Sequence, residues 1–224
     1  MPEVIFNGAD GRLEGRYHHA KTPNAPLALI LHPHPLHGGT MNNKVVFDVF
    51  HIFVRRGFSV LRFNFRGVGR SQESFDHGQG ELRDAAAALD WMQQHNHNSS
   101  TCWVAGFSFG AWIGMQLLMR RPEVRGFISL ALPANMYDFS FLAPCPSSGL
   151  IVHGEKDVLV PTDSVERLVQ KLHQQRGIKI DLEVIAGADH FFNGCQDQLE
   201  TVIEGYLDHA LAVMPVRTAA HAAR

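Results

Sequence analysis

VAGFSFGA, residues 104–111, places Ser108 between Gly106 and Gly110, each two positions away. Before this stretch lies the apolar run TCWVAGF (101–107), and after it AWIGMQLLMRR, which has the composition of a helix. A serine at a strand-to-helix junction is forced into a tight backbone, so its neighbours two before and two after must be small for strand and helix to approach. This geometry lifts the hydroxyl above the sheet and leaves the amide of Phe109 at a helix N-terminus, where an oxyanion is favoured. The competing interpretation is a plain turn with a serine cap. The spacing alone recurs by chance, and its position at a strand-to-helix junction favours the nucleophile.

Working outward, apolar runs with β-branched and aromatic residues recur at LALILH (27–32), FSVLRFNF (58–65), GFISLAL (126–132), GLIVHG (149–154) and IDLEVIA (180–186). Several are apolar without alternation, as strands of a parallel sheet covered on both faces must be. Helical periods fall between them: Val45, Val46, Val49, Phe50 and Phe53; Leu82, Ala85, Ala86, Leu89 and Met92; Leu199, Val202, Ile203, Tyr206 and Leu207. Asn42 or Asn43 is the expected cap of the first helix. Thr162 or Asp163, after Pro161, is the expected cap of another at about 163–176. The alternation predicts an α/β fold with a mostly parallel central sheet and helices on both faces. The early runs VIF and RLEGRY are expected as an antiparallel pair at its edge.

The chain of 224 residues suits one domain, expected over residues 1–212, with a flexible tail over 213–224. With 45% hydrophobic and 19% charged residues and a formal charge of −2, it has the composition of a soluble globular protein. No run of Lys and Arg offers a footprint for nucleic acid. The opening MPEVIFNGADGRLEG has no secretory pattern, and no apolar run reaches the ~20 residues of a membrane span. A cytoplasmic location is therefore expected, with no membrane or nucleic-acid partner; the oligomeric state is open, a homo-oligomer included. Cys102, Cys145 and Cys195 have no CxxC spacing and are expected as free thiols.

A serine hydroxyl needs a base, and the base needs an orienting acid. On this architecture the order is serine, acid, histidine. Asp157 follows GLIVHG and His190 follows IDLEVIA, so Ser108, Asp157 and His190 all fall at carboxyl ends of strands, on the edge where open α/β sheets carry their sites. Glu155, Asp163, Asp181 and Asp189 are the rival acids, and they suit surface charges or caps. Cys195, five residues after His190, invites a Cys–His reading, but no elbow presents it. In HPHPLH, His32, His34 and His37 could bind metal, yet no HxHxD completes a site, and no metal or other cofactor is expected. RGVGRS has Gln72 where a dinucleotide fingerprint has its third glycine, so Arg66 and Arg70 are expected to be structural.

Together with LHPHPLHGGTMNN, RFNFRGVGRS, GFSFGA, HGEKD and GADHFF, these residues resemble the α/β-hydrolase superfamily over roughly residues 1–212. The similarity is to compact, lidless bacterial serine hydrolases of the dienelactone-hydrolase-like and serine-aminopeptidase-like branches. Dienelactone hydrolases proper carry cysteine where Ser108 stands. The resemblance implies a Ser108–Asp157–His190 triad, and oxyanion donors at the backbone N–H of Phe109 and, two residues past the strand-end histidine, of His34. Pro33 replaces the glycine of the common HG opening, and a separate HGG at 37–39 makes Gly38 the alternative donor. The implied activity is hydrolysis of small esters, thioesters or amides through an acyl-enzyme, a carboxylesterase foremost. A non-catalytic binding protein of the same fold, and acyl transfer or carbon–carbon hydrolysis on the same triad, are the alternatives. Only residues 132–148 separate two strands where larger relatives insert caps. An open, shallow pocket is therefore expected, walled by Phe191 with Phe139 and Phe141, together with a preference for short acyl chains.

Overall fold

A computed structural model describes residues 2–99 and 101–213. The tail expected from 213 lies, from residue 214 onward, outside the described residues. Eight strands run β1 Glu3–Asn7, β2 Arg12–His18, β3 Leu27–Leu31, β4 Ser59–Phe63, β5 Cys102–Phe107, β6 Val124–Leu130, β7 Gly149–Gly154 and β8 Ile180–Ile185. Five helices accompany them: α1 Lys44–Arg55, α2 Gln79–Gln94, α3 Phe109–Leu118, α4 Thr162–His173 and α5 Gln196–Val213. The sheet order is β1-β2-β4-β3-β5-β6-β7-β8. From β4 to β8 every pairing is parallel, and β2 joins β4 antiparallel with β1 antiparallel beyond it, the edge pair expected from VIF and RLEGRY.

Strands β3 to β7 are apolar along nearly their whole length because both faces are covered, and side chains alternate between two cores. Leu27, Leu29 and Leu31 of β3 belong to the core that α2, α3 and α4 cover. Ala28 and Ile30, one residue out of phase, belong to the core that α1 and α5 cover. Asn43 caps α1, its side chain accepting from the N–H groups of Val45 and Val46.

Strand ends at β3, β4 and β8 fall one or two residues inside the expected runs, and the boundaries of α4 and β6 differ for identifiable reasons. Pro161, not Thr162 or Asp163, occupies the cap position of α4, with φ −58° and ψ 133° and no side-chain cap bond, and the helix stops at His173. The fixed φ of proline already leads into a helix, so Thr162 and Asp163 fall in the first turn. Strand β6 starts two residues early and ends at Leu130, because Ala131 turns the chain out of the sheet with φ 46°.

Candidate active site

Ser108 stands between β5 and α3 with φ 54° and ψ −117°, a backbone that L residues rarely adopt. Its N–H donates to the Leu130 carbonyl of the neighbouring strand at 2.9 Å, and its carbonyl accepts from Ala111 at 2.9 Å. The flanking glycines have a steric cause. A Cβ on Gly106 would lie 2.3 Å from the Gly110 carbonyl oxygen, and one on Gly110 would lie 2.4 Å from that of Leu31.

His190 lies on the loop after β8. Asp189 fastens that loop, its carboxylate accepting from the amides of Phe191 and Asn193 at 3.0 Å each and from the Asn193 side chain at 2.8 Å. Phe192 is driven into the core while Phe191 stays at the surface. Asp157 lies on the loop after β7, where Oδ1 accepts from Leu159 and Val160 amides, both at 2.9 Å.

The three loops bring the side chains together. His190 Nδ1 donates to Asp157 Oδ2 at 2.7 Å, which leaves Nε2 as an acceptor for the Ser108 hydroxyl at 3.1 Å. Both Asp157 and His190 are buried. Burial pushes the Asp157 carboxyl up, but the hydrogen bond from His190 and the Val160 and Leu159 amides outweigh it and hold the group below the ordinary carboxylate range.

The rival acids are occupied elsewhere. Glu155 accepts from the Gly187 amide, Asp181 pairs with Lys179, Asp163 sits in the first turn of α4, and Asp189 holds its own loop. Cys195 packs partly buried against the core beside α5.

After β3 the chain makes a 3₁₀ turn, Pro35–His37, with the Nδ1 of His34 accepting from the Leu36 amide. The His34 carbonyl receives both the His37 and Gly39 amides, and its ring lies 5.0 Å from that of Phe109. Phe109 is the first residue of α3, so its N–H has no partner within the helix. Gly38 is exposed at the far end of the turn, with φ 78°. His32 is fully buried: Nε2 accepts from the Phe65 amide at 3.0 Å and Nδ1 donates to the Pro33 carbonyl at 2.6 Å. With both ring nitrogens engaged it is unsuited to bind metal, and no group of three or more His, Cys, Asp or Glu residues among those described could hold one.

Of the expected pocket residues, Phe191 is exposed, its ring 5.2 Å from that of His190. Phe139 is buried in the core, and Phe141 packs 5.9 Å from it. Phe139 also lines a surface cavity with Ala134, Tyr137, Ser140 and Leu142, on the side of the 132–148 segment that faces α4. The aromatic this segment turns toward Phe109 is Tyr137, 6.1 Å away and stacked 4.2 Å from Trp112. His153 also escaped the sequence reading. Fully buried on β7, it donates from Nε2 to the Val160 carbonyl at 2.9 Å, bracing the turn whose amides hold Asp157. A lone histidine in a strand that is otherwise apolar was its signal.

The profile of the X-Pro dipeptidyl-peptidase (S15) family matches residues 13–179, three quarters of the chain and a span that carries Ser108 and Asp157. The chain belongs to that family. A protein of unknown function from Agrobacterium tumefaciens, described as an α/β hydrolase, is 60% identical over 97% of this chain and all of its own, with a TM-score of 0.93. An α/β serine hydrolase without lid from Xanthomonas campestris is 31% identical, covering 96% of each chain at a TM-score of 0.85. RP471 of Rickettsia prowazekii (strain Madrid E) is 55% identical over 92% of this chain and 89% of its own length. The molecule is thus a compact, lidless α/β serine hydrolase by family and fold. Among the described residues no helix is long and apolar enough to cross a membrane.

Proposed function

We propose that this hydrolase cleaves small esters, thioesters or amides through an acyl-enzyme on Ser108, with carboxylester hydrolysis as its foremost activity. The observation that carries the reading is the hydrogen-bonded relay from Asp157 through His190 to a serine held at φ 54°. In this mechanism Ser108 Oγ attacks the substrate carbonyl as His190 Nε2 takes its proton. The backbone N–H groups of Phe109 and His34 stabilise the oxyanion, and Asp157 holds the imidazolium. His190 then protonates the leaving group, and water repeats the cycle to release the acid. The packing of His34 against Phe109, and the exposure of Gly38 at the far end of its turn, favour His34 as the second donor.

The family description favours a second reading, release of X-Pro dipeptides from peptide N-termini. The test treats the protein with a fluorophosphonate, maps the adduct by mass spectrometry, and compares p-nitrophenyl acetate with X-Pro p-nitroanilides. A single adduct on Ser108 with ester turnover is expected. A Ser108→Ala protein that stays fully active would overturn the assignment, and anilide cleavage outpacing the ester would favour the dipeptidase.

A further inference from the structure

Nine large apolar side chains are exposed among the described residues. Four are scattered: Ile5 on β1, Phe47 on α1, Val184 on β8 and Val213 at the end of α5. The other five stand in the four loops that follow β3, β6, β7 and β8, on the sheet edge that carries Ser108: Leu36 two residues past His34, Met136 after β6, Val158 and Leu159 directly after Asp157, and Phe191 directly after His190. Val158 is 90% exposed, Met136 56% and Leu159 46%. The fold does not require these side chains. Leu159 serves Asp157 through its backbone amide alone, and a polar residue would make the same turn. Single exposed apolar groups are ordinary, whereas a set gathered around one site marks a surface that binds something apolar.

The set is lopsided. In the proposed mechanism the carbonyl oxygen faces the amides of Phe109 and His34, and Leu36 lies on that side. The leaving group departs on the side of His190, which must hand it a proton. Phe191 flanks this imidazole, and Val158 and Leu159 follow its acid partner. Met136 belongs to the same side, because the neighbouring Asn135 side chain donates to the Leu159 carbonyl at 3.0 Å. We infer that these four side chains form an apolar platform for the leaving group, so that the preferred substrates are short-acyl esters of lipophilic alcohols. The inference rests on the serine-hydrolase reading and adds a direction to it.

A methylene taken wholly out of water contributes about fourfold to a binding constant, so one laid on a platform by a single face contributes about twofold. The test measures kcat/KM for acetate esters of linear alcohols from ethyl to decyl, below their micellar limits, beside ethyl esters of acids of matching length. The alcohol series is expected to climb about twofold per methylene while the acyl series stays flat or falls. Val158→Ser and Phe191→Ser should flatten the alcohol slope, whereas Val184→Thr, on the far edge strand, should keep it. A climb in the acyl series alone, or flat behaviour in both with Ser108 still labelled by fluorophosphonate, overturns the platform and leaves the serine hydrolase standing. A slope that survives Val158→Ser and Phe191→Ser also overturns it. Absence of both labelling and ester turnover overturns the two together.

Discussion

Asp157 accepts three hydrogen bonds, two from its own turn and one from His190, and they divide its work between shape and charge. Asp157→Asn should keep the turn largely intact but present an amide to Nδ1, favouring the wrong tautomer of His190. Steady-state kinetics on p-nitrophenyl acetate should show kcat reduced about 10⁴-fold. Asp163→Asn, in the first turn of α4, should change kcat little, and the reverse ranking would reassign the acid. Dialysis against EDTA should leave the rate unchanged, since His32 has no free ring nitrogen; activity that returned only with added zinc would contradict this. That Ser108, Asp157 and His190 meet at one sheet edge was legible in the sequence, because a serine, acid and histidine in that order each fall at a strand end. The burial of Phe139 was not legible, because whether an aromatic ring faces core or solvent depends on how its loop packs, and FSF offers no period to decide it. His153 was hidden for a related reason: its partner is a backbone carbonyl seven residues away, which no side-chain pattern announces.

At the level of elements, the junction after β3 is stitched to the end of β4 through one buried histidine. Burial drives the His32 imidazole down to about 4, against the opposing hydrogen bond to Pro33, and protonation would also remove the acceptor that the Phe65 amide uses. Between about pH 6.5 and 4 the unfolded chain binds a proton at this position that the native state refuses. Native stability is therefore complete above the unfolded value and falls as the pH drops through that window, by on the order of 3 kcal/mol in all. Thermal unfolding followed from pH 7 to 4 should show this loss, and His32→Gln, though less stable at neutral pH, should show a shallower one. The strands themselves were legible from continuous apolar runs. Their ends were less so: β6 stops where Ala131 adopts φ 46°, a choice made by the register with β5 and β7 and not by alanine.

Across the whole molecule, one sheet separates two cores, and a buried ion pair ties the segment after β4 to α2. Arg66 donates to both carboxylate oxygens of Asp84, at 2.9 and 2.7 Å, with both side chains nearly inaccessible, and it reaches Asp10 as well. Asp84→Ala would leave a guanidinium in the interior facing only the half-exposed Asp10. Chemical denaturation should report a loss of about 3–5 kcal/mol. Asp84→Asn, which keeps an acceptor, should lose less. The α/β class and the two-sided covering of the sheet followed from alternating strands and helices. The order β2-β4-β3-β5 did not, because pairing between distant segments is settled by packing that periodicity does not encode.

The outermost position of β8 has a kinetic consequence. The serine elbow is built from β3, β5, β6 and α3, all complete before residue 131, whereas the imidazole arrives on the last strand, paired on one side alone to β7. A chain emerging from the ribosome would carry a shaped but inert hydroxyl until its final quarter had been threaded into place. On refolding, reactivity toward a fluorophosphonate should therefore lag behind the recovery of helical signal and keep time with the closing of the sheet's far margin. Labelling of Ser108 would thus serve as a clock for the final step of assembly.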